Sequence, residues 1–290
     1  MARIYSPDNN FVDIRMRNPD YVFNRGALDN HIVDMALSEG AEIIREKRFT
    51  GYKAGKNDVD VFFGDEKINA EYLIGADGAN STVAKLMGVG RTFLYGVQAR
   101  AEMKMQDTSL YTVYLGMGDF AWIVPENDKI ARVGIIGNKD EVKKFNDFMD
   151  KKGCKMIEYQ GGLVPLYNPR LRIQQGRVMI IGDAATQVKP TTYGGIVPGM
   201  MAARQLAKNP DEYEVNFRKT VGKDLKLGLR IRKMLNKFKL EDYNRLVKLC
   251  KQDRVIRILN NANRDYPSSF MLKLMIAEPR FMRYALQLIK

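Results

Sequence analysis

The sequence predicts a mixed α/β protein in which an antiparallel sheet is inserted into a ligand-binding α/β layer and a helical region follows. Two short apolar strands that run into the turns Asp77-Gly78 and Gly182-Asp183 predict the layer. Aromatic-rich, alternating segments between these turns predict the inserted sheet. With 290 residues and 45% hydrophobic composition, the chain is long and apolar enough to bury a sizeable core.

The region before the sheet combines strands with one long helix. ARIYSP and FVDIRM predict two short strands joined by a turn. Apolar residues at helical spacing after Arg25 predict a helix, ended by Gly40. AEIIREKRF and VDVFFG predict further strands, and the buried strand before Asp77 leads into a helix whose N-cap is Ser81.

From residue 92 the chain changes character. TFLYGVQARAEMKM, SLYTVYLGM, FAWIVPEN and KIARVGIIG predict an antiparallel sheet, and EVKKFNDFMDKKG predicts a short helix. A strand before Gly182 then returns the chain to the layer. The region that follows is predicted to be helical, because an apolar stripe repeats every four residues: Phe217, Val221, Leu225 and Leu229. We therefore divide the chain into residues 1–91 and 176–209 (ligand-binding layer), 92–175 (sheet) and 210–290 (basic helical C-terminal region).

Composition narrows the class of protein. The chain has one histidine, His31, and two cysteines, Cys154 and Cys250, far apart in sequence. With so few histidines and cysteines, a zinc site or a Ser-His-Asp triad has hardly any residues to form it. The low cysteine content fits a reducing cytoplasm, although a disulfide bridge between the two cysteines stays open. No apolar run reaches the ~18 residues of a membrane span, and the N-terminus lacks an apolar signal-peptide core. We therefore predict a cytoplasmic protein without a metal ion.

The net charge of +13 lies almost entirely in the C-terminal third. Residues 1–203 contain 26 basic and 25 acidic residues, whereas residues 204–290 contain 21 basic and 9 acidic ones. Such an excess favours an anionic partner such as lipid headgroups, a phosphorylated substrate or nucleic acid, although a solvated helical face explains it equally well. Nucleic acid is the least favoured partner, because Phe217 and Phe238 fall on apolar stripes and not among the basic residues.

The two acidic turns predict a ligand site. An aspartate at the carboxyl end of a buried strand can accept hydrogen bonds from ribose or ribityl hydroxyls. Gly194 and Gly195 would let backbone N–H groups face a pyrophosphate or a ring carbonyl at the next helix. Either turn alone also fits a helix cap, but the two turns on either side of a sheet insert are more specific.

These motifs resemble those of a known enzyme family. YLIGADGANSTVAKLMG (72–88) resembles the middle motif of flavin-dependent oxidoreductases of the glutathione reductase superfamily, and GRVMIIGDAATQVKPTTYGGI (176–196) resembles their second Gly-Asp motif. FAWIVP, followed after eight residues by Gly134, is similar to the aromatic-Pro signature of geranylgeranyl reductases, and NRGALDNHIVDMALSEGAEI is similar to their Arg-xxx-Asp helix. LKLGLRIRKMLNKF and NRDYPSSFMLKLM resemble the archaeal branch, the digeranylgeranylglycerophospholipid reductases.

The resemblance implies an FAD enzyme, peripheral to the membrane, that saturates isoprenoid double bonds of geranylgeranyl ether-lipid precursors. It implies that Asp183 meets the ribityl and pyrophosphate region of FAD and that Arg25 also contacts FAD. It places Gly194, Gly195 and Ile196 near the isoalloxazine ring. The implied cofactor-binding set is completed by Gly182, Asp77 and Gly78.

The sheet supplies candidate substrate residues. Tyr111, Phe120 and Trp122 are candidates to line an apolar tunnel together with Tyr193, although plain sheet packing explains the sheet aromatics equally well. No side chain has the signature of a general acid, so we name no catalytic residue.

The sequence departs from the family pattern in several places. Tyr193 and Thr186 stand where the family has glycine, and Val124 replaces an aromatic residue. The strand–GxGxxG–helix unit that binds the FAD pyrophosphate is not found, since Gly88-Val89-Gly90 follows a helix. The expected fold is therefore an incomplete FAD-binding layer of glutathione-reductase type. Two alternatives stay open: a truncated or split reductase completed by a second chain, or a flavin-free paralogue that binds a lipid or a partner.

Overall fold

A computed structural model describes residues 1–16, 20–137 and 140–286 of the chain. The helices in these residues are α1 (Arg25–Ser38), α2 (Thr82–Leu86), α3 (Glu141–Lys152), α4 (Ile196–Lys208), α5 (Tyr213–Lys219), α6 (Val221–Leu235), α7 (Leu240–Cys250), α8 (Asp253–Asn260), α9 (Met271–Ala277) and α10 (Phe281–Leu286). The strands are β1 (Ala2–Tyr5), β2 (Phe11–Ile14), β3 (Gly51–Ala54), β4 (Val59–Phe63), β5 (Glu66–Ala70), β6 (Leu73–Gly75), β7 (Phe93–Glu102), β8 (Tyr111–Leu115), β9 (Phe120–Pro125), β10 (Ile130–Gly137), β11 (Lys155–Pro165), β12 (Gln174–Gln175) and β13 (Val178–Ile180). None of the described helices is both long and apolar enough to cross a bilayer.

The predicted inserted sheet is confirmed. Seven strands pair in the order β11-β7-β10-β9-β8-β1-β2, and the pairs are antiparallel except for β1 with β8. The inward residues of β7, β9 and β10 pack on Phe145 and Phe148 of α3, which are fully buried. The alternation of apolar and polar residues along these strands therefore reflects one covered and one open face.

The boundary at residue 92 differs from the prediction. Strands β1 and β2 belong to the large sheet, because β1 pairs in parallel with β8 from Ala2 opposite Tyr111 to Tyr5 opposite Tyr114. The rings of Tyr5 and Tyr114 stack with centroids 4.9 Å apart. The sequence shows that these residues favour a strand, but strand propensity does not specify the partner strand.

A smaller sheet carries the two acidic turns. Strand β13 pairs in parallel with β6, with Ile180 opposite Gly75, so both turns leave the same edge of the sheet. Buried residues of β13 pack against α2, α4, α5 and α6 in one core, which includes Phe217, Val221 and Leu225 of the predicted stripe. The predicted helical return and C-terminal helices are thereby confirmed.

One predicted strand is wrong. AEIIREKRF (41–49) has no regular structure, and the strand falls instead at β3, which forms an antiparallel sheet with β4 and β5. Most of these nine residues are exposed, and a strand without a neighbouring strand leaves its backbone groups unpaired.

The predicted first helix is observed, but its apolar residues are exposed. Helix α1 contains no buried residue, and Ile32, Met35 and Leu37 are 42%, 56% and 44% exposed. Strand β6 pairs only with β13 among the described strands, and Ile74 on it is 41% exposed. The helix carries apolar residues on its surface, and nothing in the described chain covers that side of the layer.

The base of the second acidic turn gives a stability prediction. The Tyr213 hydroxyl is buried, donates to the carbonyl of Ile180 at 3.1 Å and accepts from the Gln187 amide at 2.6 Å. We expect Tyr213→Phe to lower the free energy of unfolding by about 1–3 kcal/mol, because two buried polar groups lose a partner. Urea denaturation measures this, with Tyr21→Phe, a change at a side chain 71% exposed, as the control. An equal stability of both variants would contradict it.

Candidate functional site

Asp183 lies at the edge of a cavity formed by the layer. The chain turns sharply after β13 because Gly182 has φ +64°, and Gly182–Ala185 form a single turn of 3-10 helix. The cavity, of about 490 Å³, is lined by the second turn, by Ala76 and Gly78 of the first turn, by α1 and by the beginning of α4. We call it the Asp183 cavity.

The beginning of α4 approaches Asp183 closely. Gly195 and Ile196 line the cavity, and a Cβ atom on Gly195 would lie 2.8 Å from Oδ1 of Asp183. Any other residue at this position would therefore displace the Asp183 carboxylate. The first-turn amides of a helix have no intrahelical acceptor, so the N-terminus of α4 offers donors to an anionic or carbonyl group in the cavity. Gly194 lies beside this lining, and its carbonyl accepts from the Lys189 amide at 3.1 Å.

The Asp183 carboxylate is free to bind a ligand. Burial raises its pKa, and the nearby Arg25 guanidinium partly opposes this shift. Among the described residues no group donates a hydrogen bond to it, whereas Arg25 is occupied by Asp29, with Nε 2.7 Å from Oδ1. A half-buried carboxylate without a donor is suited to accept hydroxyl groups of a ligand.

Asp77 has a different position from Asp183. Its Oδ2 accepts from the amides of Thr82 at 2.7 Å and Val83 at 3.2 Å, so the carboxylate caps α2. Gly78, with φ +74°, lines the cavity. Asp77 therefore shapes the first turn, and we expect the backbone of that turn to be the part that meets a ligand.

Gln187 supports the second turn and was missed in the sequence. Its side chain is fully buried, and its Oε1 accepts from the Gly182 amide at 2.7 Å while its amide nitrogen donates to Tyr213. The preceding Thr186, one of the departures from the family pattern, has φ +55°. Neither the burial of Gln187 nor the positive φ of Thr186 can be predicted from the sequence, because both appear only in the folded backbone.

Tyr193 also stands at positive φ, +58°, and it anchors a buried polar cluster. Its hydroxyl donates to Asp119, which lies 3.6 Å from Nη1 of Arg232. The Arg232 guanidinium is further bound to the carbonyls of Pro190 at 3.0 Å and Thr191 at 2.7 Å. Burial raises the pKa of Tyr193, so its hydroxyl stays protonated at neutral pH. Both positions where the sequence replaces the family's glycine thus keep a glycine-like backbone.

Three of the four predicted substrate residues lie together. Phe120 stacks on Tyr193 with centroids 6.0 Å apart and lies 5.7 Å from Trp122. Trp122 and Tyr193 line a second, more open cavity of about 290 Å³ on the sheet, which we call the sheet cavity. Tyr111 is not part of this group, because it lines a separate cavity and its hydroxyl accepts from Arg264 at 3.1 Å.

The glycine after the aromatic-Pro signature has a packing role. Gly134 lies opposite Trp122 across the β9–β10 pair, and a Cβ atom there would lie 2.2 Å from Cζ2 of the indole. We expect Gly134→Ala to displace the indole and to cost about 1–3 kcal/mol of stability. Trp122 is the only tryptophan, so its emission reports the displacement directly. Gly162→Ala, where a Cβ meets no atom within 4 Å, is the control, and unchanged emission in both variants would contradict the prediction.

The fold and the Asp183 cavity define an FAD-binding protein. A free carboxylate after a parallel strand, beside a glycine that leaves no room for a Cβ, fits the flavin-side half of FAD. The family model of an FAD binding domain matches residues 16–143. FAD is therefore the cofactor of this protein, and Asp183, Gly182, Gly195 and Ile196, which line the cavity, are the candidates to hold it.

Comparison with known proteins defines the family. Digeranylgeranylglycerophospholipid reductase 3 of Methanosphaera stadtmanae is 30% identical over an alignment of 304 positions. The alignment covers 90% of this chain and 74% of that protein. Digeranylgeranylglycerophospholipid reductase 2 of Methanothermobacter thermautotrophicus is 26% identical, with 86% of this chain and 74% of that protein covered. The chain belongs to the geranylgeranyl reductase family.

A solved structure supports the fold. The crystal structure of a geranylgeranyl bacteriochlorophyll reductase-like protein from Thermoplasma acidophilum superposes with a TM-score of 0.81. The match covers 99% of this chain and 82% of the other, at 18% identity. At this identity the similarity shows a shared fold, which is the arrangement of the layer and the inserted sheet.

Proposed function

We propose that this protein is an FAD-dependent reductase that saturates isoprenoid double bonds of geranylgeranyl ether-lipid precursors. The single observation that carries the proposal is that Tyr193 and Val164 line both the Asp183 cavity and the sheet cavity. A flavin near Asp183 and an alkene on the sheet would therefore meet at a shared wall. The names of the relatives support the lipid class.

The chain's own residues orient and shield the reaction. When bound, reduced FAD supplies a hydride to one carbon of the double bond, and a proton adds to the other carbon. Phe120 and Trp122 provide apolar surface for an isoprenoid chain, and the Asp119–Arg232 pair fixes the Tyr193 ring beside it. Tyr111 remains a proposed substrate residue only for a long chain that reaches its separate cavity.

We also propose that a further strand–helix unit with GxGxxG completes the FAD site, carried by a second chain or by sequence outside these 290 residues. The exposed apolar residues of α1 and the unpaired edge of β6 support this proposal. The protein is proposed to work at an anionic membrane surface, supported by the net charge of +12 in residues 204–290.

The test is a titration followed by turnover. FAD is added to the purified chain, alone and with a separately produced strand–GxGxxG–helix unit, and binding is read from Trp122 emission and flavin absorbance. Dithionite-reduced samples then receive a geranylgeranyl ether lipid, and mass spectrometry is expected to show a gain of two hydrogens per double bond. FAD binding without lipid reduction would contradict the substrate class. Lipid binding without FAD binding, with or without the added unit, would favour the flavin-free lipid-binding alternative.

A further inference from the structure

The last two described helices expose apolar side chains. Leu272 and Ile276, one turn apart on α9, are 63% and 71% exposed, and Met282 on α10 is 51% exposed. Leu274 points to the other side of α9 and is buried. A water-facing helix surface normally carries polar residues at such i, i+4 positions, so these side chains indicate a surface that is covered in use.

Basic side chains border a cavity next to these helices. The cavity lies between α7 and α10, has a volume of about 530 Å³, and includes Leu249 and Tyr284 in its lining. Among the described residues no carboxylate lines it, but two lining cations have carboxylate partners: Arg280 binds the buried Glu278, and Nη2 of Arg245 lies 3.6 Å from Oδ1 of Asp242. The cations that line it are Arg245, Lys248, Arg280 and Arg283.

We propose that α9, α10 and this cavity form a membrane-contact face for anionic bilayers. Leu272, Ile276 and Met282 enter the interfacial region of the bilayer, and a lipid phosphate occupies the basic cavity. Apolar side chains ringed by Lys and Arg are the combination that places short helices in the plane of an anionic membrane. The inference deepens the proposed membrane association and rests on it, but it does not depend on FAD chemistry.

Charge complementarity favours a bilayer over a second copy of the chain. In a symmetric dimer formed through this face, the same basic cavity would meet its own copy, and like charges facing each other oppose association. Anionic headgroups instead neutralise Lys248 and Arg283, the two lining cations that pair with no carboxylate among the described residues, while the apolar side chains leave water.

Vesicle sedimentation of the full chain tests the basic cavity. Vesicles contain phosphatidylcholine alone or with phosphatidylglycerol, and no FAD or lipid substrate is added. Lys248→Gln with Arg283→Gln should weaken binding to the anionic vesicles about 30-fold, since each well-placed cation contributes about five- to sixfold. The matched control is Lys226→Gln with Lys233→Gln, which removes the same charge from exposed positions of α6. An equal loss of vesicle binding in the two variants would overturn the role of the cavity, because general charge attraction would then explain the binding.

A second variant tests the apolar contact. Leu272→Ser with Ile276→Ser should weaken binding about tenfold or more and leave its salt dependence in place. Unchanged vesicle binding would overturn the insertion. A change from dimer to monomer in gel filtration with unchanged vesicle binding would also overturn it and assign the face to a second copy. Equal binding of the unaltered chain to neutral and anionic vesicles would overturn the whole inference, whatever the outcome of the FAD titration.

Discussion

Asp183→Ala is expected to weaken FAD binding at least about 100-fold. Two hydrogen bonds from FAD hydroxyls to a carboxylate contribute about 1.5–3 kcal/mol each, and a loss of about 3 kcal/mol corresponds to that factor. The side chain is half-buried and accepts no hydrogen bond from the described residues. The substitution therefore removes hydrogen bonds to FAD and none within the protein. Titration with FAD, followed by quenching of Trp122 emission, measures the dissociation constant.

The control is Asp147→Ala, which removes an exposed carboxylate from α3. Its dissociation constant should stay within about twofold of the original, as expected for a surface change away from the site. If Asp183→Ala binds FAD within threefold of the unaltered chain, Asp183 does not hold the flavin.

The same carboxylate sets a pH dependence. Only the ionised form accepts two hydroxyl groups, and burial raises the Asp183 pKa above its ordinary value of 3.8. As the pH falls, protonation therefore begins at a higher pH than for an exposed aspartate, and FAD affinity should fall with it. Asp183→Asn should bind FAD weakly, with an affinity that does not vary over this range. A parallel pH profile of both proteins would contradict this assignment.

Arg232→Ala is expected to cost about 3–5 kcal/mol of the free energy of unfolding, the largest stability effect we predict. Its side chain is 6% exposed and bound to two backbone carbonyls, and it lies 3.6 Å from the Asp119 carboxylate, which is 13% exposed. Removal leaves the half-buried Asp119 carboxylate with the Tyr193 hydroxyl as its one remaining side-chain partner among the described residues. Urea denaturation followed by circular dichroism measures the change.

Two further variants make this prediction specific. Arg230→Ala, at an exposed position on the same helix, should change stability by less than about 0.5 kcal/mol. Arg232→Ala combined with Asp119→Ala should cost less than the sum of the single changes, because the unpaired charge is removed as well. Strict additivity of the two changes would show that the pair is not coupled.

The arrangement around Tyr193 connects stability with the site. A tyrosine at φ +58° is strained, and such strain persists only where the surroundings fix the residue. Asp119 and the stacked Phe120 at the beginning of β9, together with Arg232 on α6, provide that restraint from two distant parts of the chain. Their joint role explains why the shared wall between the two cavities can be formed by a residue other than glycine.

Local chemistry was readable from the sequence. Alternating apolar residues predicted β7, β8, β9 and β10 of the inserted sheet but not β11, and the Gly-Asp turns after apolar strands predicted the edge that carries Asp183. These features depend on neighbours in the chain, so the sequence expresses them directly. The motifs around Asp183 and Gly134 likewise indicated the family before any geometry was known.

Features that depend on contacts between residues far apart in the sequence could not be predicted from it. The pairing of β1 with β8, the Gln187–Tyr213 support of the turn and the Asp119–Arg232–Tyr193 cluster join residues that are 26 to 113 positions apart. Asp77 and Asp183 both follow an apolar strand, yet one caps α2 and the other has no hydrogen-bond donor among the described residues.

By itself, the sequence determined most of the strands and helices, which turns carry a carboxylate, and which family the chain resembles. Only the tertiary structure decided which carboxylate stays free, which aromatic residues meet and which apolar faces remain uncovered. The physical reason is that propensity and periodicity act over a few neighbouring residues. Burial, partner choice and the pKa of a side chain are set by groups that folding brings together from distant parts of the chain.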